Sequence, residues 1–301
     1  MVSAIAQKAR DLGFIAVGFS RPGRPLYFDF LKSWIAAGKH GDMTWLERHI
    51  DLKENPCRLL EGCRTVISLA FPYPSAKPAT PDGYTVSRYA RPDKVDYHDR
   101  LRQKCRALAR LLERTNDGCR NRICVDSAPI MERSFALSAG IGFIGKNNAL
   151  IIPGQGSYQY LAEILTTAAL DFPDAEPMET QCGTCNLCLE ACPTGALSSP
   201  FDLDARKCLS YLTIEHKGPL SKKSGEKMGQ CFFGCDRCQE VCPFNRDRAT
   251  VDVTLPSAPT LLAMDKEGFK NRFGKTALSR PGLEKVKDNL RALLDSEEAT
   301  H

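Results

Sequence analysis

The sequence predicts an α+β protein in three parts: a mixed-sheet domain over residues 1–175, a cysteine-rich module over 176–250, and a short helical extension over 251–301. Three observations carry that reading. Apolar runs of strand length alternate with helical periods through the first half of the chain. Most cysteines fall between Cys182 and Cys242. Residues 257–294 hold a helical period with no strand-like run.

Ser3–Leu12 reads as a short amphipathic helix leading into a strand over Phe14–Phe19. Leu26–Ala37 alternates with helical period and Gly38 is its stop. Thr65–Phe71 is a buried strand ended by Pro72-Tyr-Pro74, and the proline-rich stretch Lys77–Gly83 reads as a loop. Tyr97–Thr115 is a long charged helix with Leu101, Leu108, Leu111 and Leu112 on its apolar face. Arg122–Asp126 is a strand running into a helix that starts near Pro129. Asn148–Ile152 and Tyr160–Thr167 complete a mixed sheet, and the tail beyond Leu294 should fray.

Composition narrows the class. The 301 residues are 43% hydrophobic and 26% charged, ordinary for a globular chain, and the net charge of +5 permits an acidic partner without demanding one. No window approaches the ~18 apolar residues of a membrane span, and no signal peptide opens the sequence, so a cytoplasmic, membrane-free protein is expected. In such a compartment fourteen cysteines are thiols that bind metals rather than a disulfide framework.

The cysteines have a specific order. Cys182, Cys185, Cys188 and Cys192-Pro193 form C-x2-C-x2-C-x3-C-P, and Cys235, Cys238 and Cys242-Pro243 repeat its last three cysteines and its proline. That is the bacterial ferredoxin pattern for two 4Fe–4S clusters, in which the fourth cysteine ligates the other cluster. A ferredoxin-like double-cluster fold is expected for this module. Paired zinc sites also use C-x2-C but do not need the C-x3-C-P tail, which occurs twice here. The second run lacks one ligand, since Phe232 stands where a cysteine is expected. Cys208 and Cys231 are both candidates. Cys208 is favoured because a ligand four residues ahead of Cys235, on a Phe-Phe-Gly approach, would crowd it. With Cys208 as that ligand, the six remaining thiols, Cys57, Cys63, Cys105, Cys119, Cys124 and Cys231, lack metal spacing and read as small buried hydrophobes.

A second constellation precedes the cysteines: Val125-Asp126-Ser-Ala-Pro129, Glu132-Arg133, and Ala139-Gly140-Ile-Gly142-Phe-Ile-Gly145-Lys146-Asn147. Taken singly, Asp126 could be a helix cap and Glu132-Arg133 surface charges. The glycines suggest turns or a close approach of backbone to a large ligand, and a dinucleotide motif is weak because a helix precedes them and a strand follows.

Taken in order, these pieces are specific. Together with Ser87-Arg-Tyr-Ala-Arg91, Asp96-Tyr97-His98, Gly156-Ser157, Leu161-x-Glu163 and Asp204-Ala-Arg-Lys-Cys208-Leu-Ser-Tyr, they resemble the epoxyqueuosine reductase family over roughly residues 1 to 275. The resemblance implies a cobalamin-binding N-terminal domain beside the two clusters, in a fold related to reductive dehalogenases. It implies reduction of epoxyqueuosine to queuosine at the wobble position of a tRNA with a G-U-N anticodon. Asp126 would be the proton donor, its pKa raised by burial over the corrin. One cluster would take Cys182, Cys185, Cys188 and Cys242, the other Cys192, Cys208, Cys235 and Cys238. Cobalamin, bound base-off without a histidine ligand, would touch positions Arg58, Tyr97, Asp126, Leu150, Ile152, Leu161, Ser210, Cys235 and Asp236, many through backbone. The expected partners are the modified tRNA and an electron donor of unknown identity, and the chain is expected to act as a monomer.

For RNA contact the segment 215–227 stands out, with His216, Lys217, Lys222, Lys223 and Lys227. Its bland alternative is a solvated connector. Arg88, Arg91 and Lys94 could serve the same purpose. Long family members continue into helical repeats that help hold tRNA, whereas this sequence stops at His301, which would shift affinity onto the basic segment. Arg91–Asp96 replaces a shorter glycine turn, and Cys231 is an extra thiol without an assigned role. Two rivals remain: a reductive dehalogenase, which would carry an export signal and a different acid, and a plain electron carrier, which would need neither cobalamin nor Asp126.

Overall fold

The computed structural model describes residues 1–74, 76–92, 95–245 and 250–298, the side chain of Glu298 excepted. They fold as mixed α/β in two compact units interleaved along the chain. The first takes residues 1–38, 44–72 and 98–183, and the second takes 39–43, 73–97 and the chain from 184 onward.

The first unit is built on a four-stranded antiparallel sheet, ordered Ala16–Ser20, Thr65–Pro72, Gln159–Thr166, Asn121–Cys124. Val66, Ile67, Leu69 and Ala70 are fully buried, as are Ala162, Ile164 and Leu165 opposite them. These central strands therefore read as continuous apolar runs rather than alternating ones. Two polar side chains break that interior, Ser68 and Glu163, which stand directly opposite each other in the register. The helix Tyr97–Thr115 buries Leu101, Cys105, Leu108 and Leu112, leaving Leu111 only half covered.

The helix expected near Pro129 begins at Glu132 instead and ends at Ser138. Residues 125–130 spend their backbone bonds in tight turns, Ser127 N–H to the Val125 carbonyl at 2.6 Å and Ile130 N–H to that of Ala128 at 2.8 Å, so no helical ladder can form there. The glycines after this helix serve packing. Gly140 has φ +68 at the helix end, and a Cβ on Gly142 would stand 2.3 Å from the Ile151 carbonyl oxygen. Their signal belongs to the hairpin of Phe143–Ile144 with Leu150–Ile151.

In the second unit, Lys77–Ala79 is a strand rather than a loop. It pairs in parallel with Val251–Val253, and antiparallel, through Ala79, with Thr85–Val86, which in turn pairs with Cys231–Phe233. Pro78 fits because the parallel ladder takes its bonds from Lys77 N–H to Thr250, 2.9 Å, and from Thr254 and Leu255 N–H to Ala79. The core holds Phe232, Phe233, Phe269, Phe273, Leu290 and Leu293. The helices Ala258–Ala263, Lys266–Phe273 and Leu283–Glu298 therefore share one core with the strand that leads into the second cysteine run. The last helix runs to Glu298 rather than fraying after Leu294. It lies against the helix Lys222–Met228 at Gly225, where a Cβ would meet the Ala292 carbonyl oxygen at 2.1 Å. No helix among the described residues is long and apolar enough to cross a membrane.

Candidate active site and cluster module

Asp126 sits where the strand Asn121–Cys124 gives way to the tight turn, with φ at +54. A non-glycine residue holds this conformation only when its surroundings enforce it. Here Glu132, the first residue of the following helix, accepts the Asp126 backbone N–H at 2.6 Å. His98, in the first turn of the long helix, puts Nε2 3.0 Å from Asp126 Oδ2. The Asp126 side chain is 47% exposed, so the chain alone leaves the carboxyl open, and the burial expected of it would have to come from the corrin. In the sequence His98 and Glu132 occur only inside motif fragments, the triplet Asp96-Tyr97-His98 and the pair Glu132-Arg133, and no spacing marks either as a site residue.

Behind the turn lies an unusual interior. Glu163 is fully buried, and neither carboxylate oxygen finds a hydrogen-bond partner among the described residues, Ser68 included. Burial, and then the charge of Glu132, hold its pKa well above the usual carboxylate range. Burial and then Asp126 push Glu132 up as well. Burial and then Glu163 push the thiols of Cys105 and Cys124 to about 12. With Cys63 these are the small buried hydrophobes expected, and Cys57 and Cys119 are half-buried.

The positions expected at the corrin differ in what they can offer. In the first unit Leu150 and Ile152 are buried in an apolar cluster with Ala136, Ala139 and Ile141, and Leu161 packs half-buried against it. Arg58 is exposed and paired with Asp51 at 2.9 Å. In the second unit Tyr97 packs edge-on to Tyr89 and Ser210 is half-buried. Asp236 is buried, and its carboxylate accepts the Arg88 N–H at 2.8 Å. With that side chain already engaged, the backbone is what Asp236 can present to a ligand.

The twin cysteine runs fold alike. Leu187–Glu190 and Arg237–Glu240 are matching single-turn helices packed on each other. The thiol of Cys238 is raised by burial first, then by the neighbouring thiolates of Cys235, Cys208, Cys188 and Cys192. Cys235 is pushed to about 12, by burial and then by groups that include Cys231 and Cys208. Cys208 itself is raised by burial and feels Cys192. Cys192 goes the other way: burial raises it, but hydrogen bonds from Leu197, Thr194 and Ala196 outweigh that and favour the thiolate. Cys238 thus stands within electrostatic reach of Cys188, Cys192, Cys208 and Cys235, thiols drawn from both expected ligand sets, while among the described residues no three His, Cys, Asp or Glu side chains are gathered closely enough to hold a metal ion. Cys231 donates to the carbonyls of Phe233, 3.4 Å, and Gly234, 3.6 Å, from within its strand.

Beside the second cysteine run lies a charge network built on two buried arginines. Arg88 Nη1 donates to Glu240 at 2.6 Å and Lys77 Nζ reaches the same carboxylate at 3.0 Å. Arg91 pairs with Asp252 at 2.9 Å. Arg88 and Arg91 are 5% and 9% exposed, so the expectation that they meet RNA is corrected: their charges are spent inside the fold. Lys94 lies outside the described residues.

The basic segment is part loop and part helix. His216 Nδ1 lies 2.9 Å from Asp42 Oδ2, and Lys217 N–H donates to the same oxygen at 3.3 Å. Ser221 then caps the helix Lys222–Met228, its hydroxyl accepting the Ser224 N–H at 3.2 Å. Lys217, Lys222 and Lys223 are exposed. His216 is turned to Asp42, so the exposed charge of the segment comes from the lysines.

A paired cysteine module and a carboxylate turn in a separate α/β unit define an iron–sulfur oxidoreductase. Residues 181–245 match the family of 4Fe-4S double cluster binding domains, and residues 53–127 match the family described as "Epoxyqueuosine reductase QueG, DUF1730". An epoxyqueuosine reductase from Xanthomonas campestris pv. campestris is 36% identical over 300 residues, covering 94% of this chain and 83% of that protein. The solved epoxyqueuosine reductase of Streptococcus thermophilus superposes with a TM-score of 0.87 at 29% identity, over 99% of this chain and 81% of that one. A second solved epoxyqueuosine reductase, bound to an epoxyqueuosine-modified tRNA stem loop, gives a TM-score of 0.84 at 32% identity, over 98% of this chain and 81% of that one. The chain belongs to the epoxyqueuosine reductase family.

Proposed function

We propose that this chain reduces epoxyqueuosine to queuosine at the wobble position of tRNA. The observation that carries the reading is the likeness over nearly the whole chain to a solved relative holding an epoxyqueuosine-modified tRNA stem loop. Removing the epoxide oxygen takes two electrons and two protons, and the oxygen leaves as water. Electrons reach the site through two 4Fe–4S clusters, to which we assign Cys182, Cys185, Cys188 and Cys242, and Cys192, Cys208, Cys235 and Cys238. Cobalamin, when bound at the positions named for it from the family resemblance, would supply low-potential reducing power at the substrate carbon.

The chain's own residues handle the protons. Asp126, held outward on its turn, donates to the departing oxygen as general acid. His98, 3.0 Å from its carboxylate, orients that carboxylate and shares its proton. Glu132 fixes the turn through the backbone N–H. The exposed lysines 217, 222 and 223 attract the tRNA backbone. The G-U-N anticodon, the monomeric state, a cytoplasmic setting and a separate electron donor complete the reading.

The test is anaerobic purification with hydroxocobalamin, followed by iron, sulfide and cobalt counts and turnover on epoxyqueuosine-tRNA. About eight irons and one cobalt per chain are expected from two 4Fe–4S clusters and one corrin. Iron without cobalt in an active protein would sink the corrin assignment, and zinc in place of iron would sink the clusters.

A further inference from the structure

The helix Tyr97–Thr115 carries a charge pattern that the chemistry above does not use. Five arginines and one lysine stand against Asp99 and Glu113, so this one helix holds most of the excess behind the net charge of +5. Arg102, Arg106, Arg110 and Arg114 recur at every fourth residue, which places them along one ridge. The buried face, with Leu101, Cys105, Leu108 and Leu112, lies on the other side. Arg106, Arg110 and Arg114 are exposed and make no hydrogen bond or ion pair with the described residues. Glu113, the one acid beyond the first turn, is occupied by Asn121 Nδ2 at 3.1 Å. At 1.5 Å per residue the four arginines span about 18 Å. The near end is tied to the catalytic turn, since Arg102 donates to Ser127 Oγ at 3.0 Å.

Like charges four residues apart cost a helix a few tenths of a kcal/mol each. The ridge therefore does nothing for the helix, whose folding rests on its leucine face.

We propose that Arg106, Arg110 and Arg114 form a phosphate track that holds the backbone of the RNA substrate as it leaves the Asp126 turn. The inference rests on the tRNA reading above and adds a surface to it. A repeating anion is the occupant a repeating cation fits, and the guanidinium fork matches phosphate oxygens in pairs. No exposed aromatic or large aliphatic side chain interrupts the ridge, so it lacks the apolar anchor of a protein–protein interface.

The experiment compares the cluster-loaded full chain with an Arg106→Gln/Arg110→Gln double variant, measuring binding of an unmodified tRNA with a G-U-N anticodon across a salt series. A Lys8→Gln/Arg10→Gln variant, altered at exposed cations on the first helix, is the charge-matched control. The track predicts affinity roughly tenfold lower at low salt and a log–log salt slope shallower by about two, with the control unchanged. An unchanged slope overturns the proposal, and so does an equal loss in the control pair. Slower electron delivery from an acidic redox protein, with tRNA binding intact, would also overturn it by giving the ridge to that partner. Because no turnover is read, a chain that binds tRNA through the ridge but fails to reduce epoxyqueuosine removes the proposed function and leaves the track standing.

Discussion

At the scale of single residues, the site turns on how a carboxylate is presented. Asp126 is held at φ +54 by a turn whose N–H is clamped by Glu132. Asp126→Asn keeps that backbone bond and removes the acid. We expect turnover to fall by about a hundredfold or more, with iron content and tRNA affinity unchanged. Normal turnover would end the proton-donor assignment. Glu163 offers a different test. Its folded pKa is raised, so the stability it contributes is fully present below the unfolded carboxylate value, about 4.3, and is lost as pH rises through the folded value. Glu163→Gln should remove that loss, and melting temperatures from pH 5 to 9 should decline less steeply than in the native chain. Parallel declines would show that Glu163 does not titrate against folding. The acid was legible as part of a motif. Its exposure was not, because a three-residue turn of positive φ leaves no pattern in the residue types around it.

At the scale of elements, spacing was the strongest signal in the sequence. The twin C-x2-C…C-x3-C-P runs marked a repeated module, and the folded chain gives each run a single-turn helix packed on the other. The long helix was also legible, from Tyr97 to Thr115, since its leucines keep a helical period. The strand Lys77–Ala79 was not. Its parallel partner lies more than 170 residues away at Val251–Val253, and a proline-rich run carries no local mark of such a pairing. Gly225 is a similar case, a glycine demanded by the Ala292 carbonyl of a helix far along the chain. Gly225→Ala should cost about 2 kcal/mol or more by forcing two helices apart. It should also weaken tRNA binding through Lys222 and Lys223 on the same helix. An unaltered denaturation midpoint would mean the helices separate without strain.

At the scale of the whole molecule, the two units are open to separate observation. Both tryptophans, Trp34 and Trp45, lie in the first unit, and the second unit holds every cysteine proposed as a cluster ligand except Cys182. Stripping iron with a chelator should abolish the visible absorbance and lower the melting point of the second unit. The tryptophan fluorescence midpoint should stay where it was. A fluorescence midpoint that falls in step would mean the units unfold as one. The double-cluster module was plain in the sequence, but the segments 39–43 and 73–97 that join it were not, since membership in a distant core is fixed by partners that come much later.

That interleaving bears on how the protein is made. Residues 39–43 and 73–97 leave the ribosome among the segments of the first unit, yet the rest of their own unit begins only at residue 184. The first sheet can close once Gln159–Thr166 has emerged. Through that interval Lys77–Ala79 and Thr85–Val86 have only each other, because Cys231–Phe233 and Val251–Val253 are not yet synthesised. The nascent chain thus carries two open strand edges past a finished neighbour, and the pace of translation between residues 166 and 253 sets how long they stay bare.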